Sequence, residues 1–269
     1  MFEECEKSMK LVFSRSSMDA LYRRYNRKDY IHPDPLELVH RYCEPMDREI
    51  AGLVAACLAY GRVRQILASV SCVLERMHPS PGRFLLENSQ DRIDSIFGSF
   101  KHRFSTGAEL SALLGSMREM LLRFGSLEAC FLAGCRPEDE TVFPALENFA
   151  HRLRCACPVG LEGMLLPRPA KGSACKRLHL FLRWMVRDDA VDLGVWKGVD
   201  PSQLLVPLDT HMFRIASGLE LTTRRQADLR AAFEITAAFR TISPEDPVKY
   251  DFALTRLGIR DGVDIHDVL

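Results

Sequence analysis

The sequence has no surplus of either charge: 36 basic residues meet 36 acidic ones, and the formal net charge is zero. That excludes a polycationic coat for nucleic acid and an acidic disordered tail. It also argues against binding a polyanion over the whole surface, because phosphate affinity is carried by lysine and arginine. No run of residues reaches the ~18 apolar positions needed to span a bilayer, and Met1 to Lys10 is charged, with no apolar stretch of signal-peptide length. The expectation is a cytoplasmic protein with no membrane partner. Paired Cys-x-x-Cys spacing is absent, and the nine cysteines are odd in number and scattered. Several fall on apolar helix faces, where a thiol acts as a small hydrophobe, so a reduced protein without a disulfide framework is expected. No cysteine follows Cys175, which removes a C-terminal iron–sulfur loop. His151, Cys155 and Cys157 lack the paired short spacings of a structural zinc site, and neither metal nor cofactor is expected. The glycine-rich phosphate loop, the dinucleotide-binding glycine fingerprint and the serine-hydrolase elbow are missing too.

What is present is helical periodicity. An apolar fraction of 47% and a charged fraction of 27% are ordinary for a globular chain whose length suits one large domain or two small ones. Asp47 is placed to cap a helix whose apolar stripe is Ile50, Leu53, Val54, Cys57 and Leu58, broken at Tyr60-Gly61. A second helix is predicted from Val63 to Met77, and a third along Leu110, Leu113, Leu114, Met117, Leu121 and Phe124, with Gly125 as its left-handed stop. Further helices are predicted over Thr141–Leu153, Ser173–Arg187, from Asp209, from Thr222 or Thr223 to Arg240, and from the start signal Ser243-Pro244-Glu245-Asp246 to Gly258. Few segments alternate with period two, so the fold class is all-α. The Pro/Gly-rich stretch 157–172 separates an N-terminal helical part, 1–156, from a C-terminal part, 157–269, within one unit.

Charge is unevenly spread despite its zero sum. Between Gly163 and Arg187 stand Arg168, Lys171, Lys176, Arg177, Arg183 and Arg187, and no acid. On the predicted helix Lys176, His179, Arg183 and Arg187 form one stripe. It reads either as a solvated face or as a phosphate-binding edge, with Gly172 letting backbone N–H groups approach a phosphate.

The string Val206-Pro207-Leu208-Asp209-Thr210-His211 followed by helix resembles the aspartate loop of the helix-hairpin-helix DNA glycosylases. Gly172-Ser173-Ala174-Cys175-Lys176 resembles their hairpin, whose lysine is the nucleophile in bifunctional members. Lys176 and Asp209 stand 33 positions apart, a spacing close to that of the archaeal oxoguanine glycosylase type. Two features depart from the pattern: Ala174 replaces the hairpin's second glycine, and no Leu-Pro precedes Gly172. The chain from Tyr25 to Leu254 also resembles a bacterial family of unassigned function that shares YNRKDYIHPDPLE, AYGRV, GSACKRL, FLRWMVR, PLDTHM and EDPVKYDFAL.

The glycosylase resemblance implies a two-subdomain helical fold and a DNA-repair enzyme, a monomer acting on DNA, with RNA as the other nucleic-acid option. Asp209 would stabilise an oxocarbenium-like transition state. Lys176 would attack the anomeric carbon and form a Schiff base, giving abasic-site lyase activity. Tyr60 or Arg62 would fill the gap left by an extruded base, Tyr250 and Asp251 would read that base, and Lys171, Gly172, Arg177 and His211 would line the contact. Each residue also has a plain structural reading: Asp209 as a cap, Lys176 as a surface lysine, His211 as a capping side chain, Tyr60 as a packed aromatic, Asp251 as an ion-pair partner. Two other functions stand beside the enzyme: a non-catalytic nucleic-acid-binding protein of the same fold, and a helical protein with a different substrate.

Overall fold

The computed structural model describes residues 12–156, 165–169 and 172–260. Thirteen α-helices, two single-turn 3-10 helices (Lys28–Tyr30 and Pro201–Gln203) and one short hairpin make up the regular structure of these residues. The N-terminal part holds α1 (Arg15–Tyr25), α2 (Leu36–Val39), α3 (Pro45–Leu58), α4 (Val63–Arg76), α5 (Pro81–Glu87), α6 (Gln90–Phe97), the hairpin β1 (Lys101–His102) and β2 (Ser105–Thr106), α7 (Gly107–Phe124), α8 (Leu127–Leu132) and α9 (Phe143–Cys155). The C-terminal part holds α10 (Lys176–Val186), α11 (Thr210–Gly218), α12 (Leu229–Ile242) and α13 (Asp251–Arg260). No helix of the described residues is long and apolar enough to cross a membrane.

The centre is a contact between α3 and α10. Every residue from Glu49 to Leu58 on α3 and from Leu178 to Val186 on α10 is buried. Their close approach depends on Gly52, where a Cβ would stand 2.9 Å from Met185 Cε and 3.4 Å from the Phe181 ring. Around them Phe131, Phe149, Phe181 and Trp196 pack with ring centroids 5.2–6.5 Å apart, mostly edge to face, each pair worth about 0.5–1.5 kcal/mol beyond its area. Glu49, buried on α3, accepts hydrogen bonds from Leu127 N (3.0 Å), Glu128 N (2.8 Å) and Trp196 Nε1 (2.7 Å), and so caps α8 across the core. One hydrophobic cluster runs from Met18 to Leu257, and α1 docks against α13.

Several predicted boundaries hold, and others move for identifiable reasons. The helix ending at Phe124 stops at Gly125 with φ +83° and begins with a capping box, Thr106 and Glu109. Asp47 does not cap its own helix. It lies inside α3, and its Oδ1 accepts from Gly82 N (2.8 Å) and Ser80 Oγ (2.7 Å) at the start of α5. α12 starts at Leu229, not at Thr222 or Thr223, because Asp228 accepts from Ala231 N and supplies the cap. The start signal at Ser243 yields turns, and α13 begins only at Asp251, since Asp246 is drawn away to Arg187.

Candidate active site

Two helix starts converge at one point on the surface. Leu204 to Leu208 runs buried, with Val206 N donating to Thr236 Oγ1 at 3.0 Å, and delivers Asp209 to the N-cap of α11. There Oδ1 accepts from His211 N (2.9 Å) and Met212 N (2.8 Å), which turns Oδ2 outward. Lys176, the first residue of α10, places Nζ 3.3 Å from that oxygen, and both side chains are about one-third exposed (33% and 32%). Burial alone would raise the Asp209 carboxyl, but the Lys176 ammonium and the two N–H donors outweigh it and hold Asp209 below the usual carboxylate range. The positive end of α11 therefore faces a solvent-accessible carboxylate, and the Lys176 ammonium from the start of α10 reaches the same group.

The segment leading into α10 is locally strained. Gly172 has φ +74°, and Cys175 takes the left-handed conformation, φ +44°, which costs a residue with a Cβ about 1–2 kcal/mol. No side chain caps α10. Ser173 forms a bridge with Asp228, and Leu229 N donates to Gly172 O at 3.2 Å, so the start of α12 holds this segment in place.

The basic stripe proves to be neither a solvated face nor a phosphate edge. His179, Arg183 and Arg187 are buried, and only Lys176 of the four reaches solvent. Arg183 pairs with Asp192 at 3.2 Å and with Asp251. Arg187 pairs with Asp192, with Asp189 at 2.9 Å and with Asp246 at 2.9 Å. Four carboxylates thus share two guanidinium groups, and burial pushes the Asp192 carboxyl up to about 6 against the pull of both arginines. Asp251 is raised likewise, first by burial, with Arg183 opposing. Its Oδ1 is buried without a partner, and its charge is close enough to be felt by Asp209 and Lys176. His179 has both ring nitrogens buried and unpartnered, and burial alone pushes it down to about 4.

The other residues singled out from the sequence fall in distinct places. Arg177 turns inward: it donates to Leu165 O at 3.1 Å and to Cys57 O, and its guanidinium stands 5.0 Å from the centre of the Tyr60 ring. The Tyr60 hydroxyl is tied to His102 O (2.9 Å) and Ser105 Oγ (2.8 Å), whereas Arg62 at the start of α4 is exposed. Tyr250 is buried, its hydroxyl donating to Asp19 Oδ1 at 2.9 Å, and Asp251 is engaged by Arg183. His211 is half-buried beside Asp209, with Nε2 unpartnered. Gly172 is exposed with open space around it. Lys171 lies outside the described residues. His151 and Cys155 touch (3.4 Å), Cys157 lies outside the described residues, and no group of three metal-ligating side chains is found among those described.

Sequence reasoning missed the acidic partners of Arg183 and Arg187 and the Arg177–Tyr60 stack, because each joins positions far apart in the chain. It also passed over the hairpin Lys101–Thr106, whose two-residue strands are too short for any periodicity.

The fold and the site together define an all-α protein with a solvent-accessible lysine–carboxylate pair where two helices begin. The chain belongs to a family described as a protein of unknown function (DUF2400), whose model matches residues 34–260. No curated protein and no solved structure matches the chain.

Proposed function

We propose that the protein is a DNA-repair glycosylase with an associated abasic-site lyase step, acting through Lys176 and Asp209. The observation that carries this reading is the 3.3 Å approach of Lys176 Nζ to Asp209 Oδ2 in an accessible position. The two groups that such chemistry needs converge on one atom's reach. The lysine amine attacks the anomeric carbon of the damaged nucleotide. The N-glycosidic bond breaks with its electron pair leaving on the base, and Asp209 accepts the proton released by the amine. The aminal opens to a Schiff base, from which β-elimination cleaves the strand. Asp209 also offsets the positive charge that develops on the sugar, a role suited to a carboxylate kept ionised by two N–H donors. The resemblance of the Asp209 string and of Gly172–Lys176 to helix-hairpin-helix glycosylases supports the same reading.

The second reading is a DNA-binding protein of this fold without chemistry. It is favoured by the altered segment before α10, where Ala174 is buried and Cys175 is left-handed in place of a glycine-rich hairpin. One experiment separates the two. Duplexes carrying oxidised purines or abasic sites are incubated with the protein and reduced with borohydride. A covalent adduct that disappears in Lys176→Gln is expected. Absence of both adduct and base release with every lesion rejects the enzyme. Binding that weakens steeply with salt while activity is absent identifies the second reading.

A further inference from the structure

The tip of the β1–β2 hairpin presents Phe104, which is 68% exposed and is the most exposed large apolar side chain among the described residues. A single exposed aromatic means little by itself. Its setting gives it meaning. The two residues between the strands are Arg103 and Phe104, and Arg103 holds the left-handed φ of +52°. Such strain persists only where neighbours enforce it. Here they do. Buried His102 is bonded through Nδ1 to Ser69 Oγ (2.8 Å) and through Nε2 to Tyr60 O (3.1 Å), and the Tyr60 hydroxyl clasps both strands. Gly61, at φ +101°, leaves room for the Arg103 side chain, which a Cβ there would meet at 2.6 Å. The hairpin is therefore a fixed support with an aromatic ring held in solvent.

Four basic side chains stand around it, and Glu109, at the base of the hairpin, is engaged by Thr106 N and Oγ1. Arg62, Arg64, Lys101 and Arg103 are all exposed, and none is in an ion pair among the described residues. The Tyr60 ring that braces the hairpin also packs against the inward-turned guanidinium of Arg177, the residue next to Lys176. A protein-docking surface would offer an apolar area. This patch offers one ring, with Val63 at 40% exposure beside Arg62. A projecting ring flanked by guanidinium groups instead matches a strand of nucleic acid, whose bases stack on aromatic faces and whose phosphates take the arginines.

We propose that Phe104 is a DNA-contacting residue that stacks on a base and fills the space left when a nucleotide leaves the duplex, with Arg62, Arg64, Lys101 and Arg103 on the flanking phosphates. The choice of DNA rests on the function proposed above, but the contact does not depend on the chemistry of Lys176 and Asp209. Both native tryptophans, Trp184 and Trp196, are buried, so Phe104→Trp adds one exposed reporter. The probes are a short duplex with a single tetrahydrofuran abasic analogue and the same duplex intact. The Phe104→Trp emission is quenched by the abasic duplex far more than by the intact one. Phe104→Ala binds the abasic duplex about tenfold more weakly and loses its preference over the intact duplex. Phe104→Trp retains that preference. The double variant Arg62→Gln, Arg103→Gln weakens binding to both duplexes alike and makes the salt dependence shallower by about two charges. Unchanged affinity and preference in Phe104→Ala, unchanged Phe104→Trp emission at saturation, or no DNA binding by the wild-type protein overturns the assignment. The borohydride assay keeps the two proposals apart. Phe104-dependent binding without an adduct rejects the chemistry and keeps the contact, whereas a full adduct in Phe104→Ala with wild-type affinity and preference does the reverse.

Discussion

Asp209 holds two jobs on two different oxygens, and a pair of substitutions separates them. Oδ1 accepts from His211 N and Met212 N, whereas Oδ2 faces Lys176. The side-chain amide introduced by Asp209→Asn keeps an acceptor at Oδ1, and asparagine ranks with aspartate as an N-cap, so this substitution changes the cap by only a few tenths of a kcal/mol. It also loses the Lys176 contact. With both side chains one-third exposed, that pair is worth no more than about 1 kcal/mol after solvent screening. Asp209→Ala strips both donors of their acceptor as well and costs about 1 kcal/mol further, within a range of roughly 0.5–2. In a chain of this size each kcal/mol moves Tm by about 2–4 °C, so thermal melts should order wild type, then Asp209→Asn, then Asp209→Ala. The proposed chemistry sets a different order. There both variants lack the carboxylate assigned to balance charge in the transition state, and single-turnover excision should fall in each by about 100- to 1,000-fold. Asp209→Asn melting near wild type yet inactive is the diagnostic result. Wild-type excision by Asp209→Asn refutes the catalytic role. An Asp209→Asn Tm as low as that of Asp209→Ala refutes the division of labour between the oxygens. Asp209 is held below the usual carboxylate range, so its contribution to stability is present at neutral pH and is lost only as pH falls through that lowered value.

Three further outcomes test the core behind the site. His179 has a folded value near 4 against 6.5 unfolded, so the folded protein resists taking up its proton; stability is full above the unfolded value and declines as pH falls towards 4. Between about pH 7.5 and 5.5 this amounts to about 1 kcal/mol, and urea unfolding of His179→Leu should lack that loss. An identical pH slope in the variant rejects the assignment. Arg183→Met leaves Asp251 and Asp192 without their shared guanidinium inside the protein, and removing one partner of a buried pair costs about 3–5 kcal/mol; a denaturant midpoint within error of wild type would contradict it. Thr106→Ala removes the hydroxyl that caps Glu109 N at the start of α7 and should cost about 1 kcal/mol by the same measurement, with no change if solvent satisfies that donor equally well.

Features written in a few consecutive residues were legible in the sequence. Asp209 as a cap, Gly125 as a left-handed stop and the span of α4 all depend on neighbours within one helical turn. Competition between adjacent signals was not legible. Thr222 looked like a helix start, but its hydroxyl accepts from Arg224 N and donates to Glu234, which closes a turn, and Asp228 takes the cap. Partnership over distance was invisible as well. Arg183 and Arg187 look solvated on a helical wheel because Asp192, Asp246 and Asp251 come later in the chain and from other elements. The Lys176–Asp209 approach was expected only through resemblance, since nothing in spacing alone brings residue 176 to residue 209. The hairpin could have been noticed as Lys-His-Arg-Phe-Ser-Thr, an aromatic between basic residues where helical periodicity fails, but only its geometry shows that Phe104 points into solvent.

The buried charges and the exposed pair are parts of one arrangement, because α10 carries both. Lys176 opens the helix at the surface, while Arg183 and Arg187, two and three turns on, are fixed by carboxylates from the loop after α10, from the turn before α13 and from α13 itself. Burying these charges is unfavourable unless the geometry is well satisfied, and apolar residues of similar size often stabilise a core as well or better. What the charged version adds is registry. An apolar contact tolerates a shift of an ångström along the helix, but a guanidinium shared between Asp192 and Asp251 does not. α11 packs on α13, so a registry fixed between α10 and α13 also fixes Lys176 against the Asp209 cap. The same arrangement leaves Asp251 with one unpartnered oxygen, and its carboxyl is raised first by burial, with Asp209 adding to the rise and Arg183 and Lys176 opposing it. At Asp209 burial works against ionisation, and the Lys176 ammonium with the two N–H groups of α11 outweighs it; removing these donors would raise the Asp209 carboxyl and weaken the negative charge that the proposed chemistry calls for.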